Sequence, residues 1–311
     1  MIIFSIVIPL YNKQEHIIQT LESLKKQSYN NFELLIIDDG STDNSIQTVK
    51  NWIKMSQTDF IFPIRYISQK NSGVSSARNR GAKEANHQYV AFLDADDYWK
   101  ETHLYNLKCL IEKYSNIVDI FSCSMSMRVD GKEKKLQLDV EENFCGVLDY
   151  LTIAKRNHGY IHSSSVCVKK EILLKNPFPI DMKFAEDLVT WATICNTKGV
   201  AFSAQTTAVY VIDNAQASVL SDFSDFIRFE RYVMGIPHHN KKVLKNYVNS
   251  FLLLTILTTR INLSYMIFFK QSALVFAKSK TVSIYTFVAM LIPKTILRLL
   301  RKIRAFSKYD K

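Results

Sequence analysis

The chain has 311 residues, 47% of them hydrophobic and 22% charged, an ordinary globular balance with room for one large or two modest domains. Its five cysteines (Cys109, Cys123, Cys145, Cys167 and Cys195) are odd in number, scattered and without a C-x-x-C pair, which argues against a disulfide framework or a structural zinc site and fits a reducing cytosol. The net charge of +11 is uneven: residues 241–311 carry fourteen Lys or Arg against one acid, Asp310, while the remainder nets −2, so an anionic partner such as a membrane surface or a nucleic acid would meet the C-terminal end.

The opening MIIFSIVIPLYN is apolar but lacks a basic n-region and a small-residue cleavage site, and it reads as a first strand and not as a signal peptide. Strands are expected at about 2–8, 33–37, 62–67 and 89–93. Between them, Ile17, Ile18, Leu21 and Leu24 follow helical spacing, as do Ile46, Val49 and Ile53, and a weaker Ala- and Ser-rich helix covers about 74–86. This alternation predicts an α/β fold, a parallel sheet covered by helices. A helix from Lys100 to Lys113 follows. The stretch 115–215 is more mixed, with strands near 117–128 and 163–168, a hairpin at VDGK and a short helix carrying AEDLVTWATI. From about 220 onward the pattern is helical, with no Gly after Gly235 and with Pro237 and Pro293 as punctuation. Its apolar runs fall short of the ~20 residues that span a bilayer.

Each of the first four strands ends in polar residues: PLYN, DDGSTD, SQKNSG and DADD. In an open α/β sheet ligands bind outside the carboxyl ends of the strands, so four decorated ends predict one crevice. The last of them gathers Asp94, Asp96 and Asp97 within four positions. Two carboxylates about 4 Å apart repel by roughly 1 kcal/mol in water and about 4 kcal/mol near a protein surface, so a positive partner is expected. A cap on the following helix accounts for Asp97 alone; a hard divalent cation, Mg²⁺ or Mn²⁺, accounts for the cluster.

SIVIPLYN, LLIIDDGSTDNS, NSGVSSARNRG, YVAFLDADDYW and FAEDLVTW, in this order and spacing, resemble the family-2 glycosyltransferases, inverting sugar-nucleotide-dependent enzymes of the GT-A fold. The likeness covers about residues 3–213. It implies that Pro9 and Tyr11 flank the nucleobase of a UDP-sugar and that Asp39 accepts a hydrogen bond from uracil, an imide donor suited to an acceptor-only carboxylate. It implies that Asn71, Gly73 and Arg78 serve the donor, where Gly73 permits close backbone approach at a helix start that favours phosphate. Asp94 is implied as a contact to the nucleoside sugar and Asp96 as the metal ligand, with Asp97 a cap or a supporting partner. Asp187 is implied as general base, with Glu186 beside it. Family members often complete the metal shell with a downstream His; here Asp213 of YVIDNAQAS stands at the comparable place. HGYIH sets His158 and His162 four apart, read as acceptor-pocket or structural residues and not as a zinc pair. Arg80 reads as a solvated helix-face residue, Asp38 as a solvated turn residue, Asp43 as an N-cap and Trp191 as core.

These implications divide the chain into a GT-A catalytic domain at 1–215, with a nucleotide-sugar half (1–100) and an acceptor half (101–215), and a basic amphipathic helical region at 216–311. The expected acceptor is a lipid-linked glycan in bacterial O-antigen or capsule assembly. In KTILRLLRKIRAFSKY, Ile296, Leu299, Leu300 and Ile303 form an apolar stripe with Lys294, Arg298, Arg301, Lys302 and Lys308 on the polar side, the pattern of a helix lying on anionic lipid at the inner face of the cell membrane. A nucleotidyltransferase would show a Gly-rich basic loop after the first strand, and PLYNKQEH has no Gly. A nucleic-acid binder would show aromatic stacking motifs, which are absent, so no nucleic-acid partner is expected.

Overall fold

In the computed structural model, residues 1–55, 62–154, 160–212, 223–276 and 278–297 are described. The alternation read from the sequence appears as β1 (Phe4–Leu10), α1 (Ile17–Lys25), β2 (Phe32–Asp38), α2 (Ser45–Met55), β3 (Ile64–Ser68), α3 (Val74–Glu84) and β4 (Tyr89–Phe92). β1 and β2 are buried at every position, as parallel strands covered on both faces must be. The polar exceptions are satisfied: Glu33 accepts from Ser5 Oγ (2.7 Å) and pairs with Arg65 (3.1 Å).

The chain continues through β5 (Tyr98–Trp99), α4 (His103–Tyr114), β6 (Ile120–Val129), β7 (Lys132–Lys135), β8 (Cys145–Leu148) and α5 (Tyr150–Ala154). A single 3₁₀ turn at Ser163–Ser165 leads into β9 (Val166–Lys169), α6 (Lys170–Lys175), α7 (Glu186–Ile194) and β10 (Val200–Ile212). Helices α8 (Ser224–Gly235), α9 (Lys241–Asn262), α10 (Tyr265–Val275) and α11 (Lys280–Leu291) complete the described elements.

Among the described residues the strands form one sheet in the order β3-β2-β1-β4-β9-β6-β10-β5, with β7 on β6 and β8 on β10. β1 to β4 are parallel, whereas β9 runs antiparallel to both β4 and β6. The chain builds outward from β1 to β3 and then returns to lay β4 on the other side of β1. That reversal of strand order opens a crevice between the carboxyl ends of β1 and β4. Gly81 of α3 seats the helix on this sheet: an added Cβ would lie 2.2 Å from Val7 Cγ1 of β1.

Two features differ from the expectations. The helix expected from Lys100 starts at His103 with Thr102 as its N-cap, so Asp97 caps nothing; its carboxylate is instead buried and accepts from Ser164 Oγ (2.5 Å) and the Val211 amide (3.0 Å). The 13-residue β10 has no counterpart in the sequence reading, because its register shifts twice between Ser203 and Ala208 and the polar Ser-Ala-Gln-Thr-Thr at that bulge breaks the alternation a strand would show. Among the described residues no helix is long and apolar enough to cross a membrane.

Candidate active site

A cavity of about 370 Å³ opens at the carboxyl ends of β1, β2 and β4. It draws Pro9 and Tyr11 from the end of β1, Asp39 from β2, Asn71, Gly73 and Arg78 from the segment after β3, and Asp94 and Asp96 from β4. Residues up to 87 positions apart thus meet because four parallel strands deliver their ends to one edge.

Asp39 fastens the floor. Its Oδ1 accepts from Gln69 Nε2 (2.8 Å) and the Ser72 amide (2.9 Å), and its Oδ2 from the Gly73 amide (2.8 Å). Gly73, at φ 90°, is the N-cap of α3, and Gly40, at φ 73°, lets the two loops close, since a Cβ there would sit 2.9 Å from the Asn71 amide nitrogen. Asn12 holds the loop after β1 at φ 51°, its Oδ1 accepting from the amides of Thr42 (2.8 Å) and Asp43 (3.3 Å). Asp38 is buried and accepts from the Ser41 amide (3.1 Å), so it is not the solvated turn residue expected. Asp43 accepts from the Ser45 amide (2.9 Å) at the start of α2.

Arg78 is the electrostatic centre. It is buried, donates through Nη2 to Asp94 Oδ1 (2.8 Å) and through Nη1 to Glu186 Oε1 (2.9 Å), and its guanidinium lies 5.5 Å from the Phe178 ring centroid. One cation thereby joins the end of β4 to the start of α7. Burial pushes the Asp94 carboxyl up, but Arg78, His162 and Lys13 together outweigh it and hold Asp94 below the usual carboxylate range. Arg80, in contrast, is half-buried and donates to the Ser68 carbonyl (3.3 Å).

Cations meet two members of the acidic cluster, Arg78 at Asp94 and Lys13 at Asp96. Lys13 Nζ lies 2.6 Å from Asp96 Oδ2. Asp94, Asp97 and His162 each offer one ligand atom, and these lie within 4.8 Å of one another. Two carboxylate oxygens and an imidazole nitrogen form a donor set that suits Mn²⁺ or Mg²⁺, and the unrelieved repulsion there fits a cation: burial first, then the charges of Asp94 and Asp96, push the Asp97 carboxyl well up. The same carboxylates, after burial, push the Tyr210 hydroxyl up to about 12, with its ring 4.7 Å from that of His162.

α7 starts from Ala185, whose φ of 59° is a left-handed conformation unusual for a residue with a Cβ. This sharp entry opens α7 on Glu186, which meets Arg78 of the cleft, and on Asp187 beside it. Asp187 accepts from Ser163 Oγ (3.3 Å) and from the Leu188 amide (2.8 Å). Burial raises the carboxyls of both residues, for Glu186 with the Asp187 charge added, against the pull of Arg78. Trp191, one turn on, is fully buried against Phe92 and Phe178. The sequence reading missed Lys13, Ser164 and Tyr210, which carry no motif of their own, and gave His162 a different part. Asp213 and His158 lie outside the described residues.

The family model described as Glycosyl transferase family 2 matches residues 5–170. An uncharacterized glycosyltransferase of Rickettsia bellii (strain RML369-C) is 28% identical over 247 residues, 78% of this chain and 32% of that protein, so the chain spans about a third of this relative's length. The amylovoran biosynthesis glycosyltransferase AmsB of Erwinia amylovora is 33% identical over 172 residues, 54% of this chain and 56% of that protein. Among solved structures, S. aureus TarS 1–349 in complex with UDP-GlcNAc matches with a TM-score of 0.68 at 18% identity, over 93% of this chain and 90% of that one. The mannosyltransferase PcManGT of Pyrobaculum calidifontis, in complex with GDP-Man and Mn²⁺, matches with a TM-score of 0.58 at 17% identity, over 92% and 85%. At these identities the structural likeness is one of fold, an α/β GT-A-like sheet with C-terminal helices.

Proposed function

The chain belongs to glycosyl transferase family 2, and from that premise we propose that it is an inverting glycosyltransferase that moves a sugar from a UDP-sugar to an acceptor hydroxyl, on a lipid-linked glycan of a bacterial surface polysaccharide. The observation that carries this reading is the Arg78 bridge, which couples a cleft suited to a nucleotide diphosphate to a carboxylate pair on the far side. The UDP-GlcNAc complex of TarS supports the choice of donor, and the name of AmsB supports a polysaccharide product.

In this reading the uracil lies between Pro9 and Tyr11. A carboxylate has about four lone-pair sites. Asp39 commits three of them to Gln69, Ser72 and Gly73, which leaves one for the uracil imide. The acceptor hydroxyl approaches from the side of α7. Its oxygen bonds to the anomeric carbon as the bond from that carbon to the UDP oxygen breaks, and its proton passes to Asp187, whose raised proton affinity suits a general base. Glu186, held by Arg78, orients the acceptor. Asp94, Asp97 and His162 would hold Mn²⁺ or Mg²⁺, with Asp96 a further carboxylate lining the same cleft, and the ion when bound would supply positive charge to stabilise the departing diphosphate. A lipid-linked acceptor would set the enzyme at a membrane surface, with the basic C-terminal region toward anionic lipid.

A screen of nucleotide sugars for hydrolysis with Mn²⁺ present tests the donor. Asp187→Asn should retain UDP binding and lose turnover by a factor on the order of 10² to 10⁴. Near-normal turnover in this variant removes Asp187 from the mechanism.

A further inference from the structure

Helices α10 and α11 pack on each other and present two different faces. Their inner residues Phe268, Val275, Val282 and Ala289 are buried in the same core cluster as Trp191 and Phe226. Their outer residues are large, apolar and exposed: Met266, Ile267, Phe269 and Leu274 on α10, Phe276 after it, and Ile284, Phe287, Val288 and Leu291 on α11. Soluble surfaces rarely gather so many, and a helix that is apolar all round ordinarily has both faces covered. A groove of about 510 Å³ runs along this face, with Phe276, Ile284, Phe287 and Val288 as its apolar walls and Lys280 at its rim.

The charges that these two helices themselves carry are of one sign, and the nearby Glu230 of α8 is half-buried and accepts from Ser279 Oγ at the start of α11. From 263 to 297 the sequence has Lys270, Lys278, Lys280 and Lys294 and no Asp or Glu. Lys270, Lys278 and Lys280 are exposed. A second copy of the chain docking here by two-fold symmetry would bring like charges together, whereas a bilayer of anionic phospholipid offers acyl chains to the aromatics and phosphates to the lysines. α10 and α11 have 11 and 12 residues, about 16–18 Å each at 1.5 Å per residue. That is too short for a hydrocarbon core of about 30 Å, so each helix would lie in the interface.

We propose that the outer face of the α10–α11 pair inserts into the headgroup boundary of an anionic membrane. The inference deepens the membrane-side reading given above, and it assigns the contact to folded helices whose inner faces are part of the catalytic core, and not to the basic segment after Leu297 alone. Docking through these helices fixes the orientation of the cleft to the bilayer, because their inner faces share a core with Trp191 of α7.

The test is co-sedimentation of the full chain with phosphatidylcholine vesicles with and without phosphatidylglycerol. Wild type should bind the anionic vesicles, with partial loss in high salt. The exposed-site variant F276S/I284S/F287S should bind at least tenfold more weakly even at low salt, and K278E/K280E should bind weakly with little remaining salt dependence. I180S, at an exposed apolar position away from this face (72% exposed), serves as the control and should match wild type. Unchanged UDP binding in every variant shows that the fold is intact. Should wild type bind the anionic vesicles and the triple serine variant bind them equally, the membrane reading stands and this assignment falls. Should wild type ignore anionic vesicles, both fall. A wild-type dimer in light scattering that the triple serine variant makes monomeric would make this face a self-association surface and overturn the proposal.

Discussion

At the scale of single residues the site depends on buried charges whose partners are fixed. Arg78 neutralises Asp94 and Glu186 together, so its removal strands two carboxylates in a buried setting. Breaking one side of a buried ion pair costs about 3–5 kcal/mol, and Arg78→Met should lower stability by that order in chemical unfolding at pH 7.5, with much of the loss recovered near pH 4, because without Arg78 burial favours the protonated form of both carboxyls. Asp97 runs the other way. Burial and its acidic neighbours push its carboxyl up, so the folded protein holds this proton more tightly than the unfolded chain does. The stability linked to it is complete below the unfolded value of about 3.9 and is lost as pH rises through the raised folded value. Asp97→Asn, neutral at every pH and still able to accept from the Val211 amide, should therefore melt higher than wild type at pH 7.5 in a chelator. Each kcal/mol gained is worth roughly 2–4 °C, and the advantage should vanish near pH 4.

At the scale of elements, the closeness of α3 to β1 sets the width of the cleft, and Gly81 sets that closeness. Val7 has two stiff γ-carbons, at 2.2 and 2.9 Å from where an alanine Cβ would stand, so neither can swing away cheaply. Overpacking of this kind costs typically about 1–3 kcal/mol. Gly81→Ala should lose that much in denaturant unfolding and should weaken UDP binding, because Arg78 lies on the same helix, one turn earlier. Adding Val7→Ala should restore part of both, and a double-mutant cycle with no coupling would show that α3 adjusts by another route.

At the scale of the whole molecule, the helices after 223 share a core with the catalytic half. Phe229 of α8 stacks on Phe251 of α9 with centroids 3.9 Å apart and lies 5.7 Å from Tyr247, whose ring in turn meets Tyr150 of α5. Phe229→Ala should cost about 3–5 kcal/mol. The loss should appear as one earlier transition followed both by tryptophan fluorescence, from Trp52, Trp99 and Trp191, and by far-ultraviolet dichroism. Two separate transitions would mean that the C-terminal helices unfold by themselves.

The sequence by itself determined the alternating α/β half, because short continuous apolar runs, helical spacing and turn chemistry are local and each strand of a parallel sheet carries its own apolar run. It also put Pro9, Asp39, Gly73, Asp94 and Asp96 at strand ends, and a sheet built this way brings strand ends to one edge whatever the details. Tertiary structure decided the rest. That Arg78 spans Asp94 and Glu186, 108 residues from it in sequence, follows from α7 entering through a left-handed Ala185 beside β4, which no local pattern announces. That Asp97 faces inward to Ser164 and Val211 follows from the insertion of β9 and the bulged β10 into the sheet. Whether an apolar helix such as α10 or α11 hides both faces or only one depends on what packs against it, and hydropathy along the chain is the same in either case.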